Sequence, residues 1–226
     1  MNSFLQVWVL FRKELRVEYR NKYVLGGLFL FSGSTVMLIY FSLLYSQRLS
    51  ALDSSLWSIL FWLVVLFSAV NAVSNAFFRE SEALLMQYHF MFSPLVYLWA
   101  KILYNTFFTL LLTILSSLIF FVVVSNPVVL VGSFVVTASL GAVSYAVLFT
   151  IMSAIAVKAR SNNTMVAVLG FPILIPLMIF ITKATAGALG DPSLIGQTNQ
   201  NLLLLLSLNV IQIILAIVLF PYIWRE

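Results

Sequence analysis

Six times along the chain, an apolar run continues for about 20 residues or more, the length an α-helix needs to cross the hydrocarbon core of a bilayer. The runs lie near 23–45, 57–77, 102–124, 128–157, 163–182 and 202–224. Backbone groups in hydrocarbon have no water to bond, so each run must close its hydrogen bonds within itself, as a helix does. A soluble core offers no escape. With 62% hydrophobic and 8% charged residues and a mean hydropathy of +1.08, a chain of 226 residues could not hide its apolar surface from water. The expectation is an all-α, polytopic integral membrane protein with six transmembrane helices. The runs are too closely spaced to leave room for a second, soluble domain, so residues 1–226 form one transmembrane domain.

The fourth run is longer than a crossing needs, so it tilts, or its first residues belong to the turn at Ser125-Asn126-Pro127. Ahead of the first run, residues 1–22 read as a separate element. Phe4, Trp8, Phe11, Leu15 and Tyr19 recur at helical spacing along one stripe, while Arg12, Lys13, Arg16 and Arg20 fall largely on the other side. That pattern suits an amphipathic helix lying in the interface, with its aromatics in the acyl boundary and its cations among anionic lipid headgroups. It is not a secretory signal, because the basic residues follow the apolar ones and no small-residue cleavage site comes after them.

Orientation follows from the lysines and arginines. Of the twelve, Arg12, Lys13, Arg16, Arg20, Lys22, Arg79, Lys101, Lys158, Arg160 and Arg225 are assigned to one side. Only Arg48 and Lys183 fall on the other. This asymmetry places both termini in the cytoplasm, together with the segment 78–101 that follows the second run. The net charge of +5 therefore orients a membrane protein, and no nucleic-acid partner is expected.

Segment 78–101 is the one long interior stretch that is both charged and amphipathic. Bounded by spans on both sides, it must lie at the cytoplasmic face as a short helix or helical hairpin, and it reads as a handle gripped from outside the chain. Within the spans, Ala138, Ala142, Ala146, Thr150 and Ala154 form a ridge at spacing four that lets another helix approach closely. Packing inside the bundle is the plain reading, and a homodimer seam is the sharper one. Asn71 and Asn75, one turn apart, should face protein or a wet cavity, since lipid cannot satisfy their amides. In the fifth run, Pro172 and Pro176 each remove a backbone donor, leaving the carbonyls of Val168 and Pro172 without their usual partners. The helix is expected to kink or break there, as a static bend or as a hinge.

Enzyme chemistry finds no constellation. No Gly-Lys dipeptide occurs, so there is no phosphate-binding loop. Cysteines are absent, and the single histidine, His89, has no neighbour with which to build a metal site. The serines lack a candidate base.

Three sets of residues carry a resemblance. These are Phe11-Arg-Lys-Glu-Leu-Arg16 near the start, Ser93-Pro94 with Ala100-Lys101 after the handle, and Gly170-Phe-Pro-Ile-Leu-Ile-Pro-Leu-Met-Ile-Phe180 in the fifth run. The ending Leu219-Phe-Pro-Tyr-Ile-Trp-Arg225 adds a fourth. In that order, and over essentially the whole chain, they resemble the haem exporter protein B family, whose fold is the type II (ABC-2-like) permease. The resemblance implies a permease subunit of an ABC transporter complex of cytochrome c maturation in the bacterial inner membrane. It implies a separate cytoplasmic ABC ATPase, haem-handling membrane proteins and a periplasmic haem chaperone as partners. ATP hydrolysis would drive either haem export or release of the haem-loaded chaperone, with haem a handled ligand rather than a resident cofactor. A general type II exporter and a non-transporting scaffold of an assembly complex are the other readings.

A permease without a phosphate-binding loop must receive its driving motion through contact. On segment 78–101, Leu84, Leu85, Tyr88, Phe90, Met91 and Phe92 are expected to fill a groove on the ATPase, with Arg79, Glu80 and Glu82 on the polar rim. Tyr88 and Phe92 are the expected anchors.

The topology is open to direct measurement. Reporters fused after Lys22, His89, Ser161 and Glu226 should report cytoplasm, and reporters near Leu52 and Gly190 the opposite side. A non-cytoplasmic signal at His89 would overturn the assignment.

Overall fold

The computed structural model describes residues 3–20, 22–45, 52–73, 87–88, 90–124, 127–159 and 163–225, with side chains at all of these except 22–25, 28, 163–167 and 225. Seven α-helices and one short 3-10 turn account for most of these residues, with no strand among them. They are α1 (Ser3–Arg20), α2 (Lys22–Tyr45), α3 (Ser54–Val73), α4 (Pro94–Val123), α5 (Val131–Lys158), α6 (Asn163–Ala188) and α7 (Thr198–Arg225). The 3-10 turn Ile195–Gln197 leads into α7. Five of the helices are long and apolar enough to cross a membrane, and α2 contributes a further apolar stretch over Phe29–Tyr45. The fold is a polytopic all-helical one.

Helix α5 is the centre. Of its most apolar window 78% is buried, against 22% to 50% in the other four spans. Its small residues explain this: Ala142, Ala146, Thr150 and Ala154 are all buried, and they let α4 come close enough for side chains to bond across. Asn105 of α4 donates to the Thr150 hydroxyl at 2.7 Å, and the Thr109 hydroxyl donates to the Ala142 carbonyl at 3.0 Å. The alanine ridge is therefore spent on contacts within one chain, and this corrects the homodimer-seam reading. On another side of α5, Gly141 has no room for a Cβ, because Trp62 of α3 and Ile181 of α6 already occupy the space. The Trp62 indole then reaches the Thr185 hydroxyl at 2.7 Å. Three helices are locked at one glycine.

Helix ends account for where the elements differ from the apolar runs. Helix α4 begins at Pro94, not at residue 102. Proline in the first turn needs no N–H partner and already has a helical φ. Its 30 residues span about 45 Å, longer than the ~30 Å hydrocarbon core. The tail of segment 78–101 is thus the first two turns of a spanning helix. Helix α5 begins at Val131, so the residues just after Pro127 belong to the turn. Helix α6 runs on to Ala188 and takes Lys183 with it as an exposed helical residue.

The end of α6 is fixed by Gly190, whose φ of 88° lies in the left-handed region. Gly190 N–H donates to the Gly187 carbonyl and Asp191 N–H to the Ala186 carbonyl, both at 3.1 Å, the paired bonds that close a helix through a left-handed residue. Asp191 then clasps the loop: it accepts from the Ser193 N–H at 2.9 Å and hydroxyl at 2.6 Å, and from the Ser55 hydroxyl of α3 at 2.9 Å. The hydrogen bonds from Ser193, and then that from Ser55, hold the Asp191 carboxyl below the ordinary carboxylate pKa. They tie α6 to the start of α3 at what is called here the Asp191 face. The opposite end of the bundle, which carries α1, is the α1 face.

Candidate functional site

The first feature of the α1 face is the docking of α1 on α4. Tyr104, Phe108 and Leu112 form a small buried cluster, and Phe11 and Leu15 of α1 pack against it, with Phe11 also edge-on to Phe107 at 6.3 Å. Phe4, Trp8 and Tyr19 are exposed. The aromatic stripe read from the sequence is thus divided: its middle serves the protein, and its ends are free for lipid. Arg12, Arg16 and Arg20 are exposed as well, as a helix lying in the interface requires.

A charged contact completes the dock. Glu14 accepts from Lys13 at 2.8 Å and from Lys101 at 3.2 Å, on the same carboxylate oxygen. The Lys101 side chain is only 3% exposed, so its ammonium has left water and needs the carboxylate. Lys101 also lies over the Tyr97 ring at 5.6 Å.

Residues 87–88 and 90–92 add a helical turn beside this dock, closed by the Phe92 N–H donating to the Tyr88 carbonyl at 2.9 Å. At 100° per residue, Tyr88 and Phe92 share one side of such a turn and Phe90 takes the opposite side. Tyr88 meets Phe92 at 6.0 Å and Tyr97 at 5.7 Å, and Lys13 of α1 lies over its ring at 5.1 Å. Tyr97 in turn packs on Trp224 at 4.8 Å and on Phe220 at 6.3 Å, both from the end of α7. The turn, α1, α4 and α7 meet through one set of rings and cations.

This geometry separates the expected anchors from their neighbours. Tyr88 and Phe92 are partly buried against the core. Phe90, 92% exposed, and Met91, 66% exposed, point outward instead. The sequence could not separate these four apolar residues, because which side of a single turn faces inward depends on what it packs against.

The other candidates are scattered. Asn71 is exposed in the last turn of α3, so of the two surroundings expected for it, protein or a wet cavity, it does not have the first among the described residues. Its place near a helix end lets the amide reach the polar boundary of the membrane. Helix α6 continues unbroken through Pro172, which is exposed, and Pro176, which is half-buried. Asn75, Arg79, Glu80, Glu82, Leu84, Leu85 and His89 lie outside the described residues. Two polar features escaped the sequence reading. One is the Glu14 and Lys101 contact, whose signal was an acid directly after a lysine in α1 and a lysine eight residues inside a span helix. The other is a row of buried amides on α7, Asn201, Asn209 and Gln212, spaced at eight and three residues.

The charged contact gives a test. Glu14→Leu removes a carboxylate from a buried ammonium and should lower stability by roughly 3 kcal/mol, and Glu14→Leu combined with Lys101→Met should recover most of that loss. Thermal unfolding in detergent measures both. A double variant no more stable than the single one would mean that the pair does not hold α1 in place.

No curated protein and no solved structure matches the chain. A family model described as "CcmB protein" matches residues 5–223. That match takes in α1, the turn at 87–92, the spanning helices and the ring cluster that joins them at the α1 face. The chain belongs to the CcmB family, the haem exporter protein B family of ABC transporter permeases in cytochrome c biogenesis.

Proposed function

We propose that the chain is the permease subunit of an ABC transporter complex of cytochrome c maturation, and that a separate ATPase drives it by moving the turn at 87–92. The observation that carries this reading is the division of that turn into two sides. Phe90 and Met91 are exposed, while Tyr88 and Phe92 are packed against the core and, through Tyr97, against α7. A load applied to the outer side passes to rings already in van der Waals contact with the spans. Packed interiors shift as units and do not deform smoothly, so the motion reaches α1, α4 and α7 together.

The α1 face is cytoplasmic in this reading, as the distribution of lysines and arginines supports, and both termini lie there. Arg79, Glu80 and Glu82 supply the polar rim of the ATPase contact. The inward Tyr88 and Phe92 transmit the motion, and the outward Phe90 and Met91 make the contact. The cargo handled by the complex is haem or the haem-loaded chaperone. Release of the chaperone is the reading this chain favours, because its spans offer neither histidine nor cysteine as an axial ligand.

The step that answers the load is a bend in α6. The carbonyls of Val168 and Pro172 lack helical donors, so bending at that point breaks no further hydrogen bond. Pro172→Ala with Pro176→Ala should lower cytochrome c maturation while the amount of protein in the membrane is unchanged. Normal maturation in the double variant would leave the prolines a purely structural role.

Docking is tested by co-purification from native membranes. Phe90→Ala with Met91→Ala should release the ATPase while leaving the thermal stability of the permease within about 0.5 kcal/mol of the parent, as for surface changes. Tyr88→Ala with Phe92→Ala should instead destabilise the permease, by about 3 kcal/mol or more for two half-buried rings. An ATPase retained at unchanged stoichiometry by the Phe90 and Met91 variant places the contact elsewhere.

A further inference from the structure

The buried face of α7 carries amides with too few partners. Asn201, Asn209 and Gln212 are 6%, 4% and 3% exposed. The Asn209 amide N–H group donates to the Leu140 carbonyl of α5 at 3.3 Å and to the Leu205 carbonyl at 3.0 Å. Among the described residues its Oδ1 has no partner, nor has Asn201 Nδ2, nor either polar atom of the Gln212 side chain. Exchanging the oxygen and nitrogen of the amides does not help. Both ends of Gln212 are orphaned, and a turned Asn209 would present its oxygen to two carbonyls.

These residues lie on one side of one helix. From Asn201, one turn inside α7 at the Asp191 face, to Gln212 is about 16 Å along the axis, roughly half of a ~30 Å hydrocarbon core. Ser144 of α5, also buried, donates to the same Leu140 carbonyl at 3.0 Å, so the α5 wall of this seam is polar too. Past Gln212 the same face carries Ala216, Phe220 and Trp224, all buried, the last two against Tyr97. The polar part is therefore blind: it starts near the Asp191 face and stops at mid-depth against an apolar and aromatic plug.

We propose that this seam of α7 with α5 is hydrated, holding water molecules on Asn201, Asn209 and Gln212 that exchange with the Asp191 face and not with the α1 face. Lipid cannot bond an amide, and among the described residues no further side chain reaches these atoms. Water can donate to Asn209 Oδ1 and to the Gln212 oxygen and accept from the Gln212 N–H, on two side chains three residues apart on one helix face. Leu205, fully buried between Asn201 and Asn209, divides the water into an outer and an inner group. The seam is a polar access route from one face to the middle of the membrane, closed by the same rings that receive the turn at 87–92.

The chain has no cysteine, so single cysteines report without background. Asn201→Cys, Asn209→Cys, Gln212→Cys and Ala216→Cys are each placed in membrane vesicles of either sidedness and exposed to silver ion, which travels where water does and caps a thiolate. Uncapped thiol is then counted with a maleimide after denaturation, and Ile195→Cys, at an exposed position, marks the Asp191 face. Silver supplied at the Ile195 face should cap the first three variants about tenfold or more faster than Ala216→Cys. Gln212→Cys as slow as Ala216→Cys means a dry seam and overturns the proposal, as does capping of Gln212→Cys from the opposite face alone. Gln212→Met is an independent check with a readout other than labelling. It lowers Tm if water served the amide, and raises it if a dry, unpaired amide has been replaced by an apolar chain of similar length.

Discussion

The bundle depends on the closeness with which α5 is approached by its neighbours. In water, burial of apolar surface would hold helices together, but lipid tails are as apolar as leucine, so the helices of a membrane protein are held by fit and by hydrogen bonds across their contacts. Gly141 and the buried alanines supply the fit, because they have no bulk to keep the other helices away. The fit then makes the bonds possible: Trp62 to Thr185, Asn105 to Thr150 and Thr109 to the Ala142 carbonyl each need two helix surfaces in contact. With α5 fixed, α3, α4, α6 and α7 are fixed against it, and the positions of α1 and α2 follow from theirs.

The two faces of the molecule are finished by different chemistry. At the Asp191 face, a glycine turn and an aspartate clasp end α6 in a defined position, using short hydrogen bonds between neighbouring loops. At the α1 face, large rings and cations make the contacts, with Lys101, Tyr97 and Tyr88 each shared between elements. Short hydrogen bonds fail if their groups separate by an ångström, whereas rings slide over one another with little loss. A rigid face and a face able to shift without coming apart are what a permease driven from one side needs, and they support placing the proposed coupling at the α1 face.

Much of this protein was legible in the sequence, and the reason is the solvent. A bilayer leaves a chain so few choices that the length of an apolar run and the absence of charge are enough to give a polytopic all-helical fold. The order of short motifs was enough to give the family. Proline at position 94 could have been read as a helix start, since its missing N–H and fixed φ favour the first turn. It was obscured by Lys101, because a lysine in a row of apolar residues reads as a loop unless its carboxylate is known. That carboxylate, Glu14, lies 87 residues away in the chain.

The rest required the fold. Whether Tyr88 or Phe90 faces inward, whether the alanine ridge meets a helix of its own chain, and whether Asn71 or Asn209 is buried depend on neighbours distant in sequence. Each of these residues has the same composition and local spacing in either case. By itself the sequence determined the class and the family, since these rest on transfer of single segments into hydrocarbon and on local motif order. Only the tertiary structure decided which side of each helix meets protein and which meets lipid, because that choice is made by pairs of surfaces, and no surface carries the identity of its partner.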